Sequence, residues 1–240
     1  MDRQGKWLTP YGCNNYRLIT YQCSLCGHKT KDNSNYCPNC GARNKAMKKK
    51  PTLYIDMDNV IFDTVEAIKI MYDENFRLYD EWKDVSCENI KTYSFSELEL
   101  LTTDILIDNY FNSGRFFDIV GCIDGAELTL ANLNNVMSYP ITLVSIGTPE
   151  NIKGKKEWVS KFNDLFDTEL EFVGVQGFDK SQIDMSDGIL IDDLPRNLEN
   201  SNAAYKICFG DYQWNKDWNG AKANNWGQVK NLINNYAKGR

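Results

Sequence analysis

Short apolar runs alternate with amphipathic stretches from residue 51 onwards. The runs at 53–55, 141–144, 171–175, 188–191 and 205–209 end at polar or turn-forming residues, as buried strands do. Because helical stretches separate these runs, the pattern predicts an α/β fold: a Rossmann-like parallel sheet with right-handed crossovers and helices on both faces. The run at 205–209 is predicted to be the last strand.

The first stretch between strands has helical periodicity. After Asp63, apolar side chains recur every three or four residues, at Val65, Ile68, Tyr72 and Phe76. More aromatic and apolar residues follow to about residue 116 without a strong strand signal. The first and second strands are therefore predicted to be separated by a helical insertion at about 64–116.

Three later helices are predicted in the same way. Thr148 and Pro149 are typical of a helix N-terminus, with Thr as the N-cap and Pro in the first turn. The apolar faces comprise Leu128, Leu130, Leu133 and Val136 in the first helix, Trp158, Phe162, Leu165 and Phe166 in the second, and Val229, Leu232, Ile233 and Tyr236 in the third. The face of the second helix is expected to point inward.

Composition is that of an ordinary globular protein. Of the 240 residues, 42% are hydrophobic and 25% are charged, with a formal net charge of −6 and a pI of about 5.0. This acidic balance argues against a nucleic-acid-binding face across the whole chain, although a small anionic substrate needs only a few cations. The sequence has neither an apolar run of about 18 residues nor a signal-peptide-like start, so we expect no membrane contact and a cytoplasmic location.

Four of the eight cysteines cluster near the start of the chain. Cys23 and Cys26 form one C-x-x-C-G turn, and Cys37 and Cys40 form a second. Each turn supplies two thiolates, and four thiolates complete the tetrahedral coordination of a structural Zn²⁺. Two redox C-x-x-C sites are the alternative, but the βαβ context of such sites is missing. The pattern therefore predicts a zinc site that largely folds this segment.

The cysteine pattern resembles zinc-ribbon modules over roughly residues 21–43. Such modules bind nucleic acids or proteins, or only support a neighbouring domain. A basic run at 45–50 and then Pro51 follow, which predicts a zinc ribbon at 1–48 and a second domain at 49–240. The basic run is typical of a solvated linker, and a contact with a phosphate backbone is the alternative.

Two of the predicted strands run directly into pairs of acids. The first ends in Asp56-Met57-Asp58 and the fourth in Asp192-Asp193. In open α/β sheets, ligands bind at the edge formed by the carboxyl ends of the strands. Crowded carboxylates repel one another, and a bound Mg²⁺ removes that cost. For the first pair, the structural alternative is a strand followed by a turn in which both acids are solvated.

The motifs and their order resemble the haloacid-dehalogenase superfamily of phosphatases, and residues 51–240 are similar to its 5′(3′)-deoxyribonucleotidase branch. This resemblance rests on Asp56-Met57-Asp58, Phe116-Phe117 ahead of Asp124-Gly125-Ala126, Lys155 ahead of Trp158-Val159, Leu190-Ile191-Asp192-Asp193, and Asn224-Asn225-Trp226. Asn59 stands where the branch usually has Gly, and Ser145-Ile146-Gly147 replaces its Thr-Ser-Pro. Both departures lie near the expected phosphate and bear on substrate preference.

The resemblance implies roles for the four acids. Asp56 would be the nucleophile that forms an aspartyl-phosphate, and Asp58 would be the general acid and base. A Mg²⁺ ion would be bound by Asp56, by the backbone carbonyl of Asp58 and by Asp192. Asp193 would orient a metal-bound water or hold Lys180.

The resemblance also implies the substrate and its contacts. Ser145, Lys155 and Lys180 would bind the phosphate of a (deoxy)ribonucleoside monophosphate, and the insertion at 64–116 would be a small helical cap that selects the substrate. One alternative is a zinc-ribbon binding protein with an inactive phosphatase fold. Another is an enzyme that acts on a nucleic-acid end phosphate recruited by the ribbon. Base and sugar preference and the oligomeric state stay open at this stage.

Overall fold

The computed structural model describes residues 4–5, 7–8, 21–30, 36–44, 50–95 and 109–239. The chain forms two compact units, Met1–Lys49 and Lys50–Arg240. We call them the N-terminal unit and the C-terminal unit. Within the described ranges, no helix is long and apolar enough to cross a membrane.

The N-terminal unit is built from short strands. β1 (Gln4–Gly5) pairs in parallel with β5 (Arg43–Asn44). β2 (Trp7–Leu8), β3 (Tyr21–Cys23) and β4 (Lys29–Thr30) form an antiparallel sheet in that order. The residues before 21 therefore contribute two strands to this unit, although the cysteine pattern gave no signal for them.

The C-terminal unit contains a six-stranded sheet in which all paired strands are parallel. Its strands are β6 (Thr52–Asp56), β7 (Ile141–Ile146), β8 (Glu171–Val175), β9 (Gly188–Asp192), β10 (Tyr205–Phe209) and β11 (Ala221–Ala223), in the spatial order β11-β10-β9-β6-β7-β8. The predicted parallel α/β fold is confirmed. The prediction that 205–209 is the last strand is wrong, because β11 is a three-residue edge strand that has no apolar run and forms by pairing with β10.

Helices follow most of these strands. They are α1 (Thr64–Phe76), α2 (Gly114–Ile119), α3 (Ala126–Ala131), α4 (Pro149–Phe166), α5 (Pro195–Asn200) and α6 (Trp226–Gly239) among the described residues. Asp63 caps α1, and Thr148 caps α4 by accepting a hydrogen bond from the amide of Asn151, as its sequence predicts. The predicted insertion at 64–116 includes α1, a 3₁₀ turn at Cys87–Asn89 and the start of α2; residues 96–108 lie outside the described residues.

The sheet is covered on both faces, which explains its continuous apolar strands. Ile189 and Ile191 of β9 pack into one hydrophobic cluster with residues of α1, α3, α4 and α6, whereas Leu190 packs into a second cluster with Leu198 of α5. All five residues of β9 are buried, as expected of a central strand in a doubly covered parallel sheet. This arrangement buries the middle of the sheet and leaves its carboxyl edge available for a site.

Some predicted apolar faces differ from the structure. Leu165 of α4 is exposed, although it was expected to point inward. It lies in the last turn of α4, where Phe162 and Phe166 pack against the core instead. A π-helical turn at Asn132–Val136 follows α3 and changes the rotation of the chain, so that Leu133 is buried and Val136 is exposed.

Candidate active site

The turn after β6 holds the first acid pair in a fixed geometry. Asp56 is the last residue of β6, and the carbonyl of Met57 then accepts hydrogen bonds from the amides of Ile61 and Phe62 at 2.9 and 2.8 Å. Asn59 has a φ of 53° and is buried. Asparagine tolerates this left-handed conformation better than most residues, which explains how it replaces the glycine usual in the related branch.

Two aromatic residues that are distant in sequence stabilise this turn through hydrogen bonds. The hydroxyl of Tyr212 donates to the carbonyl of Asn59 at 2.9 Å, and the indole nitrogen of Trp226 donates to the carbonyl of Val60 at 3.0 Å. Both donors come from the end of the chain, more than 150 residues away. The carboxylates of the turn are therefore positioned by tertiary contacts as well as by the strand.

Lys180 connects the two acid pairs. Its Nζ lies 2.6 Å from Oδ1 of Asp56 and 2.5 Å from Oδ2 of Asp192, and all three side chains are buried. Burial opposes the charge on Lys180, but Asp192 and Asp56 outweigh it and raise the pKa of the lysine. Burial also raises the pKa of Asp56 to about 7; the charge of Lys180 opposes this rise, and Asp192 and Asp58 add to it. Lys180 therefore lowers the free-energy cost of ionising Asp56.

The second acid pair is held by donors from the turn after β9, from α5 and from the segment after β10. The amide of Leu194 donates to Asp192 at 3.0 Å, and Nδ2 of Asn197 contacts both oxygens of the same carboxylate at 3.1 and 3.2 Å. The indole nitrogen of Trp214 donates to Oδ2 of Asp193 at 3.0 Å. The pKa of Asp193 is raised well above its usual value, first by burial and then by the neighbouring Asp56 and Asp192.

These carboxylates fit a hard divalent cation. One oxygen each from Asp56, Asp192 and Asp193 lie within 4.8 Å of one another, and all three residues are buried. Among the described residues, Oδ1 of Asp193 is buried without a hydrogen-bond partner. Mg²⁺ prefers oxygen ligands such as carboxylates, so a carboxylate oxygen without a hydrogen-bond partner beside two other acids suits this ion. The group is typical of the Mg²⁺ site of haloacid-dehalogenase phosphatases.

A second lysine lies on the Asp58 side of the site. Lys155 of α4 is buried, forms an ion pair with Asp58, and donates to Oγ of Ser145 at 2.7 Å. The hydroxyl of Thr64 donates to the other oxygen of Asp58 at 3.1 Å. Asp58 is thus held from two sides, and its lysine also contacts the hydroxyl at the end of β7.

The structure gathers the predicted site residues at one edge of the sheet. Asp56 and Asp192 meet through Lys180, and Asp58 and Ser145 meet through Lys155. Asp193 contacts Trp214 rather than Lys180, so the suggested contact between Asp193 and a lysine is not the one formed. The roles of these residues stay predictions.

Sequence reasoning missed several residues that support the site. Asn197, Thr64, Tyr212 and Trp214 all bond directly to its acids or to its first turn. Thr64 and Asn197 follow the two acid motifs closely in sequence, which is a signal that could have identified them. The two aromatic residues had no such signal, because only the fold brings them near the acids.

Tyr93 contributes an aromatic surface from the insertion. It has a φ of 65°, which is unusual for a bulky residue, and its ring lies edge-on to Trp214 with centroids 5.3 Å apart. Trp214 in turn stacks on Tyr212 at 4.4 Å. Burial raises the pKa of Tyr93 well above its usual value, and the charges of Asp193, Asp58, Asp56 and Asp192 add to the effect. Tyr93 therefore lies in the field of all four acids.

The four-cysteine cluster of the N-terminal unit is arranged for zinc. The sulfurs of Cys23 and Cys40 are 3.8 Å apart, and those of Cys26 and Cys37 are 3.6 Å apart. A tetrahedron with Zn–S bonds of about 2.3 Å has edges of about 3.8 Å, so the spacing fits. Gly27 and Gly41 have positive φ and donate to the carbonyls of Cys23 and Cys37 at 2.9 Å, which closes both turns.

The Cys26 thiol loses its proton more readily than an ordinary cysteine thiol. The side-chain amide of Asn39, followed by a backbone hydrogen bond at His28, lowers the pKa of the Cys26 thiol, whereas burial and the neighbouring Cys26, Cys37 and Cys23 raise the pKa of Cys40. A thiol must lose its proton to bind zinc, so this lowering favours metal binding. The cluster is suited to a structural Zn²⁺ because its four ligands leave no open position.

Comparison with solved structures identifies the fold. A predicted phosphoglycolate phosphatase from Haemophilus somnus 129pt superimposes with a TM-score of 0.51 at 11% identity, covering 78% of this chain and 99% of that one. A conserved haloacid dehalogenase-like protein of unknown function from Agrobacterium tumefaciens gives a TM-score of 0.49 at 12% identity, with coverages of 78% and 99%. No curated protein matches the sequence.

Comparison with protein families gives a more specific result. Residues 50–239 match the family described as 5′ nucleotidase, deoxy (pyrimidine), cytosolic type C. This range contains all the acids and lysines of the site and excludes the cysteine cluster. The expected haloacid-dehalogenase fold is confirmed. The chain therefore belongs to the cytosolic type C 5′ nucleotidase family of haloacid-dehalogenase phosphatases.

Proposed function

We propose that the C-terminal unit hydrolyses (deoxy)ribonucleoside 5′-monophosphates to a nucleoside and inorganic phosphate. One observation carries the proposal: two acid–lysine pairs, Asp56 with Lys180 and Asp58 with Lys155, lie at the carboxyl edge of the sheet in a chain of a 5′ nucleotidase family. The family description names deoxy and pyrimidine nucleotides, so these are the first substrates to test. A cytoplasmic location stays a prediction.

Asp56 is the nucleophile in this proposal. Its carboxylate attacks phosphorus, the bond from phosphorus to the nucleoside oxygen breaks, and an aspartyl-phosphate forms. Lys180 favours the ionised form of Asp56, since its ammonium 2.6 Å away offsets part of the loss of hydration that raises the pKa of this carboxyl. The same contact orients the carboxylate before the phosphate arrives.

Asp58 is the general acid and then the general base in this proposal. It donates a proton to the leaving nucleoside oxygen and then removes one from the water that hydrolyses the aspartyl-phosphate. Thr64 and Lys155 contact its two oxygens, which holds the carboxyl group in one orientation. The hydroxyl of Ser145 and the ammonium of Lys155 are adjacent and bind phosphate oxygens, where negative charge accumulates during transfer.

Asp56, Asp192, Asp193 and the backbone carbonyl of Asp58 would hold Mg²⁺. When bound, the ion neutralises the acids and polarises the phosphate. Asn197 and the amide of Leu194 keep Asp192 directed towards that position. Tyr93, which packs edge-on against the buried Trp214, supplies an aromatic surface beside the acids that suits the nucleoside part of the substrate.

The test is phosphate release from a panel of deoxy- and ribonucleoside monophosphates by zinc-loaded protein, with and without added Mg²⁺. We expect Asp56→Asn to lower turnover by more than about a thousandfold, because it removes the nucleophile. Asp211→Asn is the matched control, since Asp211 is exposed and forms a surface ion pair with Lys222. No release from any nucleotide by folded wild-type protein would refute the proposal.

A further inference from the structure

An arginine and a phenylalanine at the carboxyl edge of the sheet have no role in the proposed reaction. The guanidinium carbon of Arg196 lies 3.7 Å from the centroid of the Phe178 ring. Arg196 is in the first turn of α5, after β9, and Phe178 is in the turn after β8. Both residues therefore follow the carboxyl end of a strand, where ligands bind in sheets of this type.

The segments that carry this pair also carry groups of the candidate active site. Phe178 is two residues before Lys180, whose Nζ lies 2.5 Å from Oδ2 of Asp192. Arg196 is next to Asn197, whose side-chain amide contacts both oxygens of the same carboxylate. The Arg196–Phe178 pair is thus built on two of the segments that hold the acid cluster.

The guanidinium of Arg196 is not neutralised by a carboxylate. Among the described residues, Arg196 forms no hydrogen bond or ion pair, and its Nε is buried without a partner. The nearby Asp179 accepts hydrogen bonds on both of its oxygens, from the amide of Ser181 at 2.9 Å and from the side-chain amide of Asn200 at 2.7 Å. An arginine that keeps its donors free is suited to bind an anion through two parallel hydrogen bonds.

Phe178 holds the guanidinium in one orientation. The Phe178 side chain is 72% exposed, and its ring packs against the guanidinium. Stacking on a ring restricts a planar guanidinium, which lowers the side-chain entropy that anion binding would otherwise cost. The Arg196–Phe178 pair is therefore a preorganised cation at the carboxyl edge of the sheet.

The two lysines of the site have a different environment. Lys155 forms an ion pair with Asp58, and Lys180 forms one with Asp56. Their charges are therefore already shared with acids, and in the proposed reaction the remaining attraction serves the phosphate that is transferred. A second anionic group on the same substrate would need a further cation, and the unpaired guanidinium of Arg196 can supply it.

We infer that Arg196, oriented by Phe178, binds a second phosphate group and so favours nucleotides that carry one in addition to the 5′-phosphate. This inference rests on the proposed nucleotidase function, which supplies the class of substrate. The second phosphate has two possible sources with the same chemistry. One is the 3′-phosphate of a nucleoside 3′,5′-bisphosphate, and the other is the phosphodiester of a short 5′-phosphorylated oligonucleotide.

The experiment measures nucleotide binding by isothermal titration calorimetry with Mg²⁺ and the full-length, zinc-loaded Asp56→Asn variant, so that no ligand is consumed. The ligands are thymidine 5′-monophosphate, thymidine 3′,5′-bisphosphate and the 5′-phosphorylated dinucleotide of thymidine. We expect a nucleotide with a second phosphate to bind about tenfold more tightly than the monophosphate, because a charge-assisted contact is added. Tighter binding of the bisphosphate alone identifies a terminal phosphate, and tighter binding of the dinucleotide identifies a phosphodiester.

Matched variants in the same background locate the contact. Arg196→Gln should abolish the preference of about tenfold and leave monophosphate binding within about twofold, which also shows that the site is folded. Arg196→Lys keeps the charge but loses the planar fork, so it should retain only part of the preference. Phe178→Leu should lower the preference about threefold, whereas Phe178→Tyr, which keeps the ring, should not. Lys161→Gln removes the same charge from an exposed position of α4 and should leave the preference unchanged.

Three results would overturn the inference: equal affinity for all three nucleotides, a preference that survives in Arg196→Gln, or one that Lys161→Gln abolishes as completely. The inference and the proposed function can fail separately. Phosphate release from monophosphates by the wild type, without a preference for a second phosphate, would overturn the inference alone. An Arg196-dependent preference in binding, with no phosphate release from any nucleotide by the wild type, would support the inference and refute the proposed hydrolysis. Absence of binding by every nucleotide would overturn both.

Discussion

Replacement of Lys180 by methionine tests whether this lysine neutralises the acids of the site. Its Nζ lies 2.6 Å from Asp56 and 2.5 Å from Asp192, and its side chain is 1% exposed. At an effective dielectric constant of about 20, Coulomb's law gives about 6 kcal/mol of attraction for each contact. Most of this is offset by the desolvation of the three charges, and the measured cost of breaking a buried ion pair is about 3–5 kcal/mol.

We therefore expect Lys180→Met to lower the free energy of unfolding by about 3–5 kcal/mol in Mg²⁺-free buffer, measured by urea denaturation. Added Mg²⁺ should restore part of this loss, because a divalent cation neutralises the same carboxylates. Lys206→Met is the control, since the ammonium of Lys206 donates to the carbonyl of Glu199 at 3.3 Å on the surface. Its cost should be below about 1 kcal/mol.

Comparison with Lys155 makes the test more specific. Lys155 is equally buried but pairs with one carboxylate, that of Asp58. Lys155→Met should therefore destabilise the protein less than Lys180→Met and should respond less to Mg²⁺. A cost below about 1 kcal/mol for Lys180→Met, or no recovery with Mg²⁺, would contradict the assignment of this lysine as the counter-ion of the acid cluster.

Three further predictions concern the first turn, the sheet and the cysteine cluster. Asn59→Gly should change the free energy of unfolding by less than about 1 kcal/mol, whereas Asn59→Val should cost at least about 1–2 kcal/mol in urea denaturation, because a β-branched residue is strained at a φ of 53°. Burial and the hydrogen bond to Asp187 raise the pKa of Tyr54 to about 12, so its stabilisation is complete below pH 10 and lost as the pH rises to 12. The stability advantage of the wild type over Tyr54→Phe should fall by about 1 kcal/mol across that range, and an unchanged advantage would refute this. Cys37→Ser should lower bound zinc well below one per chain by metal analysis, whereas Cys208→Ser, which changes a buried cysteine outside the cluster, should not.

Local sequence was sufficient to predict the central strands of the C-terminal unit. β6 and β9 have apolar runs that end in acids, and their burial on both faces follows directly from that composition. The N-terminus of α4 was equally clear, because Thr148 and Pro149 form a cap that depends on neighbouring residues alone. In these places, the sequence pattern and the structure that it specifies lie in the same short stretch of chain.

The errors arose where pairing or packing decides the conformation. β11 exists because Ala221–Ala223 lies beside β10, and its three residues have no strand signal of their own. Leu165 is exposed because Phe162 and Phe166 are the side chains of that turn that pack on the core, and Val136 is exposed at the end of a π-turn. The helical periodicity of the sequence cannot predict either feature, because it takes no account of how a segment packs against its neighbours.

The sequence alone determined the chemical types of the two candidate metal sites. Four cysteines in two C-x-x-C-G turns predict a zinc cluster, and acids at the ends of two strands predict a cation site, because ligand type and strand direction are local properties. The tertiary structure alone decided how the acids are neutralised. It brought Lys180 between Asp56 and Asp192, which are 124 and 12 residues away in the chain, and directed Trp214 rather than a lysine to Asp193. Charge neutralisation depends on distances of a few ångströms, and only the folded chain fixes these distances.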